Sequence, residues 1–218
     1  MTVTMMKTMA LAALCLSTVA AGAGSRVSNI PSEPDKSGKY IIYLHGSAEE
    51  TEGATDKYQA AVEAIAQGSA IVLSEVRGET DPGTYALKLK QQVDSLVSKG
   101  VPPEHITIGG YSKGAVIALA AAGAIRNPKV NYVLLAGCSK FLNEKYGVDP
   151  TKAVGRILSI YDVADDKFGS CDGIIRATDG LFFKEAKLES GKGHQVFRIP
   201  KKKFIKLWRD LLIDWAGA

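Results

Sequence analysis

Gly110-Tyr111-Ser112-Lys113-Gly114 sets a serine hydroxyl between two glycines. The apolar run His105 to Gly109 directly precedes it, and the small-residue run from Ala115 to Ile125 directly follows. A serine in a tight strand–turn–helix junction is held at a helix N-terminus, where backbone N–H groups favour developing negative charge. Gly110 and Gly114 keep the junction small enough for strand and helix to approach. The pattern alone is weak, and its position between a predicted strand and a predicted helix is what makes it specific.

A serine hydroxyl needs a base to act as a nucleophile. The chain offers three histidines, His45, His105 and His194. His45 ends an apolar run and is followed by Gly46, a place suited to shaping a loop that binds an oxyanion. His105 begins a strand, at the wrong end of the sheet. His194 closes Gly191-Lys192-Gly193-His194, between the last predicted strand and the last predicted helix, and is the candidate base. The base needs an orienting carboxylate, and Asp162, Asp165 and Asp166 all follow the run Arg156 to Tyr161. An acid four residues beyond a strand can curl back toward the histidine, which favours Asp165. Asp162 reads as a capping or turn residue and stays the competitor, and Asp166 reads as solvent-facing.

These positions need a scaffold, and the hydrophobic pattern supplies one. Apolar runs at Tyr40–His45, Ala70–Val76, His105–Gly109, Val130–Ala136 and Arg156–Tyr161 predict strands, with a weaker one at Phe182–Leu188. Between them, Tyr58, Ala61, Val62, Ile65 and Ala66 recur at helical spacing, as do Tyr85, Leu89, Val93, Leu96 and Val97. A closing amphipathic helix carries Phe204, Ile205, Trp208, Leu211, Leu212 and Trp215. Strands that are apolar on both faces and separated by helices predict an α/β fold, a mostly parallel sheet with helices on both faces. In such sheets the site lies beyond the carboxyl ends of the strands. Residues 24–38 are polar, hold two prolines and read as an exposed lead-in.

The chain thereby resembles the α/β-hydrolase superfamily, in a minimal form. Tyr43-Leu44-His45-Gly46 resembles the family's oxyanion strand, GYSKG its elbow, the YDVADD segment its acid loop and GKGH its histidine loop. The resemblance spans about residues 39–216, and the order serine, acid, histidine matches the family's arrangement. It implies a serine hydrolase of carboxylic esters with Ser112, His194 and Asp165 as a triad. It also implies the amides of Ser47 and Lys113 as oxyanion donors. A peptidase or amidase would use the same residues, and a binding protein on a hydrolase fold is the remaining alternative. No long insertion is present that would form a lid.

Residues 1–23 read as a secretory signal peptide. Lys7 is its positive start, and Met9 to Leu16 form an apolar stretch too short to span a bilayer. Ala21-Gly22-Ala23 then fits a cleavage site, with Thr18-Val19-Ala20 as the alternative. An uncleaved anchor is the competing reading. Residues 24–218 are then one α/β-hydrolase domain, secreted or periplasmic, without stable membrane insertion after cleavage. Removing Cys15 leaves Cys138 and Cys171, an even pair that predicts a disulfide in an exported chain. No C-x-x-C occurs and the histidines lie far apart, so neither a metal site nor a cofactor is expected. The net charge of +4 is mixed along the chain, and the basic run Lys201–Lys203 is short. That argues against nucleic acid as a partner and leaves a small-molecule ester as the expected one.

Overall fold

The structure, a computed structural model, describes residues 24–175 and 180–218. Residues 1–23, which the sequence suggests as a signal peptide, lie outside the described residues. Seven strands form one sheet: β1 (Ser25–Val27), β2 (Tyr40–Leu44), β3 (Ile71–Leu73), β4 (Ile106–Tyr111), β5 (Asn131–Leu135), β6 (Gly155–Asp162) and β7 (Leu181–Leu188). Their order is β1-β3-β2-β4-β5-β6-β7, and every pairing is parallel. From β2 the chain steps to β3 on one side. It then crosses back to lay β4 on the other side and adds the later strands in one direction. The reversal lies between β2 and β4, whose carboxyl ends therefore open a crevice.

Among the described residues, six α-helices flank the sheet: α1 (Ala48–Glu52), α2 (Asp56–Ala66), α3 (Pro82–Ser98), α4 (Lys113–Ile125), α5 (Lys140–Lys145) and α6 (Lys202–Ala216). The strand alternation decides the layers. Tyr40, Ile42, Leu44, Ile106 and Ile108 face α3 and α4 in one core. Ile41, Tyr43, Val133 and Leu135 face α2 and α6 in the other. Both sides are buried, which is why the strands read as continuous apolar runs rather than alternating ones. Burial of Ile41, Leu89 or Leu212 stabilises by roughly 1.5–3 kcal/mol each. α3 starts where Asp81 caps it, its side chain accepting from the Thr84 amide at 2.8 Å with Pro82 next in line. In α6 only Ile205, Trp208, Leu212 and Ala216 are buried, one stripe of the surface.

Four elements differ from the sequence expectation in ways that bear on the site. The polar lead-in contains β1, a three-residue edge strand paired with β3 and largely exposed. α1 and α5 are short helices without an apolar stripe long enough to announce them. β6 runs one residue further than expected, so Asp162 is its last residue, paired with Leu188. Asp165 therefore lies three residues beyond the strand, not four.

Candidate active site

Ser112 sits between β4 and α4 with φ +54° and ψ −119°, a conformation a non-glycine residue adopts only when its surroundings enforce it. Close approach enforces it here. A Cβ on Gly110 would lie 2.5 Å from the Gly114 carbonyl, and one on Gly114 would lie 2.4 Å from the Leu44 carbonyl oxygen. The serine amide donates to the Leu135 carbonyl at 2.9 Å, and its own carbonyl accepts from Ala115 and Val116. The hydroxyl is thus fixed at the start of a thirteen-residue helix with no acidic residue in its first turn.

His194 Nε2 lies 3.2 Å from Ser112 Oγ, and its Nδ1 lies 2.9 Å from Asp165 Oδ2. With the proton on Nδ1 donated to the carboxylate, Nε2 is free to accept from the serine hydroxyl. Asp165 is held by its other oxygen, which accepts from the amides of Phe168 at 3.0 Å and Lys167 at 3.3 Å. Its side chain is 3% exposed and that of His194 is 20% exposed. The rings of Tyr111 and Phe168 flank the imidazole, each centroid 4.9 Å away. Tyr111 belongs to the elbow and Phe168 to the acid loop, so both segments help fix the histidine plane.

Asp162 is fully buried and does not reach the imidazole nitrogens. It accepts from the amides of Ala164 at 3.0 Å, Ser190 at 2.8 Å and Gly193 at 3.1 Å, and from the Ser190 hydroxyl. Burial alone would raise its pKa. The Ser190 hydroxyl and the three amides outweigh that and hold it below the usual aspartate value. This carboxylate knits the acid loop to the histidine loop. The fit is close: Gly193 has φ +53°, and a Cβ there would meet the Ala164 carbonyl oxygen at 2.9 Å.

The loop after β2 passes beside the serine, with a Cβ on Gly46 reaching to 3.6 Å from Ser112 Cβ. Ser47 follows as the residue capping α1. His45 is buried and does not face Ser112. Its Nδ1 donates to the Gly46 carbonyl at 2.7 Å, and its Nε2 accepts from the Arg77 amide at 2.9 Å. Burial first, and then the Arg77 charge, lower its pKa, so the neutral ring is the stable form. His105 lies at the opposite end of β4, and Asp166 makes no part of the hydrogen-bonded chain through His194.

Cys138 and Cys171 form a disulfide with their Cα atoms 4.9 Å apart. It joins the end of β5 to the loop that carries Asp165 and Phe168. Ser170 Oγ and the Cys171 amide are further held by Glu185 at 2.8 and 2.7 Å. Among the described residues no cluster of side chains could hold a metal ion, and no helix is long and apolar enough to cross a membrane.

Sequence reasoning passed over Glu50 and Arg77, two buried charges that pair beneath this site. The signal that could have found them is Lys113. A lysine opening an apolar helix must be buried there and must meet a carboxylate.

Residues 78–200 match the profile of a family described as phospholipase/carboxylesterase. No curated protein matches the chain. Among solved structures, Est1E from Butyrivibrio proteoclasticus with ferulic acid bound is similar at 11% identity, over 87% of this chain and 94% of that one, with TM-score 0.57. A Klebsiella pneumoniae protein assigned as a dienelactone hydrolase is similar at 14% identity over 86% and 90%, with TM-score 0.62. A Xanthomonas campestris serine hydrolase without a lid is similar at 15% identity over 87% and 86%, with TM-score 0.52. At such identities the likeness is one of fold.

Proposed function

The chain belongs to the phospholipase/carboxylesterase family, and from that premise we propose that it hydrolyses carboxylic esters by a serine mechanism, with Ser112 as nucleophile, His194 as base and Asp165 as the orienting acid. The observation that carries this reading is the hydrogen-bonded chain from Ser112 Oγ through His194 to Asp165, at 3.2 and 2.9 Å. His194 takes the hydroxyl proton as the oxygen attacks the ester carbonyl. The imidazolium that forms is stabilised by Asp165. The oxyanion is received by the amides of Lys113 and Ser47, each worth about 10²–10³ in kcat. His194 then protonates the leaving alcohol, an acyl-enzyme remains on Ser112, and water attacks it with the same base.

The partly exposed serine and histidine suit small, soluble esters. A fold relative holds ferulic acid, so feruloyl esters belong in a substrate screen beside short alkyl esters. A fluorophosphonate probe tests the nucleophile. The parent protein takes one label and turns over p-nitrophenyl acetate. Ser112→Ala loses the label and lowers kcat by about 10⁶-fold. An unlabelled parent, or a labelled Ser112→Ala, would remove the proposal. Faster turnover of aminoacyl amides than of esters would instead assign a peptidase.

We also propose export, supported by the disulfide, which persists in oxidising compartments. Mass spectrometry of the exported protein is expected to find a start after Ala20 or Ala23. An intact N-terminus would overturn this.

A further inference from the structure

Lys113 follows the serine and opens α4, yet its side chain is only 6% exposed. Its ammonium donates to Glu50 Oε2 at 2.7 Å. The other oxygen of Glu50 accepts from Arg77 Nε at 3.2 Å, and the side chains of Glu50 and Arg77 are 4% and 3% exposed. Arg77 continues the chain of contacts. Its Nη2 donates to the His45 carbonyl at 2.7 Å, and its amide donates to His45 Nε2 at 2.9 Å. One carboxylate on α1 thus ties the elbow to the segment after β3, and through it to the loop after β2.

We propose that Glu50 is a positioning residue, holding the amides of Ser47 and Lys113 at the separation that an oxyanion requires. This rests on the serine-hydrolase reading above. The Ser47 N–H belongs to the Gly46–Ser47 peptide. In a trans peptide the N–H points opposite to the C=O, and that C=O is held by His45 Nδ1. Arg77 fixes His45 from its other nitrogen and from its carbonyl. The Lys113 N–H belongs to the first residue of α4, whose side chain Glu50 holds. Gly114 also packs against the Leu44 and His45 carbonyls. That contact sets how near the two segments come, but van der Waals contact gives little control of direction. The directional link is ionic and passes through Glu50. Buried ion pairs return little net stability after desolvation, so the consequence of this one is geometric.

Glu50→Gln keeps the shape and removes the charge. Its folded fraction is counted by fluorophosphonate titration, and kcat and KM for p-nitrophenyl acetate are measured per titrated site, with Ki for phenylboronic acid beside them. The boronate forms a tetrahedral adduct on the serine and needs the same two amides. The expected result is a fall in kcat of about 10- to 100-fold, the scale of an ångström-level misplacement. KM should stay within about threefold, and the boronic acid should weaken in parallel with kcat. Parent-like kcat and Ki per titrated site overturn the proposal, even if the melting temperature falls. If Glu50→Gln does not fold, Glu50→Gln/Lys113→Met removes the uncompensated ammonium and is read in the same way. Loss of kcat and of boronate affinity supports the proposal, and parent-like values overturn it. A parent protein that takes no fluorophosphonate label sinks the serine-hydrolase reading itself. A labelled parent with an unaffected variant sinks only the role of Glu50.

Discussion

Asp165 presents one oxygen to His194 and the other to two amides of its own loop, whereas Asp162 binds three amides and a hydroxyl and touches no imidazole nitrogen. The two carboxylates therefore fail in different ways. Asp165→Asn keeps the loop but deprives the imidazole of its acceptor and of the charge that stabilises imidazolium. We expect kcat to fall by about 10³–10⁴-fold with the unfolding free energy nearly unchanged. Asp162→Asn turns an amide group toward the donors of Ser190 or Gly193, and should destabilise by about 2–3 kcal/mol. Urea unfolding and kcat on both variants check this, and the reverse pattern would exchange their roles. The pH dependence follows from the depressed pKa of Asp162. Its contribution is complete above the unfolded aspartate value of about 3.9. It declines as pH falls below that and is gone below the lower folded value, so the parent and Asp162→Asn should converge in stability only in strong acid. The elbow serine was legible because its glycines flank it in sequence. The Asp165 choice rested on a count beyond the strand that was one residue off. Lys113 hinted that a buried carboxylate must lie nearby, but not that it was Glu50 or that Arg77 joined it, since a charge in a loop or a short helix reads as solvated until its distant partner is known.

At the scale of elements, the acid loop between β6 and β7 must keep Asp165 and Phe168 against a histidine that comes from another loop. Asp162 ties the two loops at one end, and Cys171 ties the acid loop to the end of β5 at the other. Closing a loop across a sequence separation of 33 stabilises by roughly 3–4 kcal/mol in the chain-entropy model. The double variant Cys138→Ala/Cys171→Ala should lose about that much in urea unfolding. It should also lose part of kcat with little change in KM, because Glu185 still holds Ser170 and Cys171 after the bond is gone. Full activity of the parent protein in reductant, with both thiols alkylated in a control, would end the idea that the bond steadies Asp165. Long strands and long helices announced themselves by apolar periodicity. β1 and α1 did not, because Ser25–Val27 is a polar edge and Ala48–Glu52 offers one turn without an apolar stripe. Short elements of that kind are set by tertiary pairing rather than by local pattern.

At the scale of the whole molecule, the strand order could not be read from the sequence, although it decides where the site is. Alternating strands and helices predict a parallel sheet, but nothing local says that β3 lies beyond β2 and β4 returns to its other side. That return puts Gly46 and Ser112 at neighbouring strand ends, with both helix layers behind them and solvent in front. Ser112 and His194 each keep part of their surface exposed. The acid loop beside them is pinned by the disulfide and by Glu185. An enzyme whose serine is covered by a mobile lid gains activity when an oil–water interface displaces the cover. With the serine already partly exposed, an interface has little left to uncover. Hydrolysis of tributyrin should therefore follow one saturation curve through its solubility limit, with no jump in rate when droplets appear. Titrimetric rates measured on both sides of that limit test the point. An abrupt severalfold rise above it would mean that some part of the chain closes over Ser112 in solution.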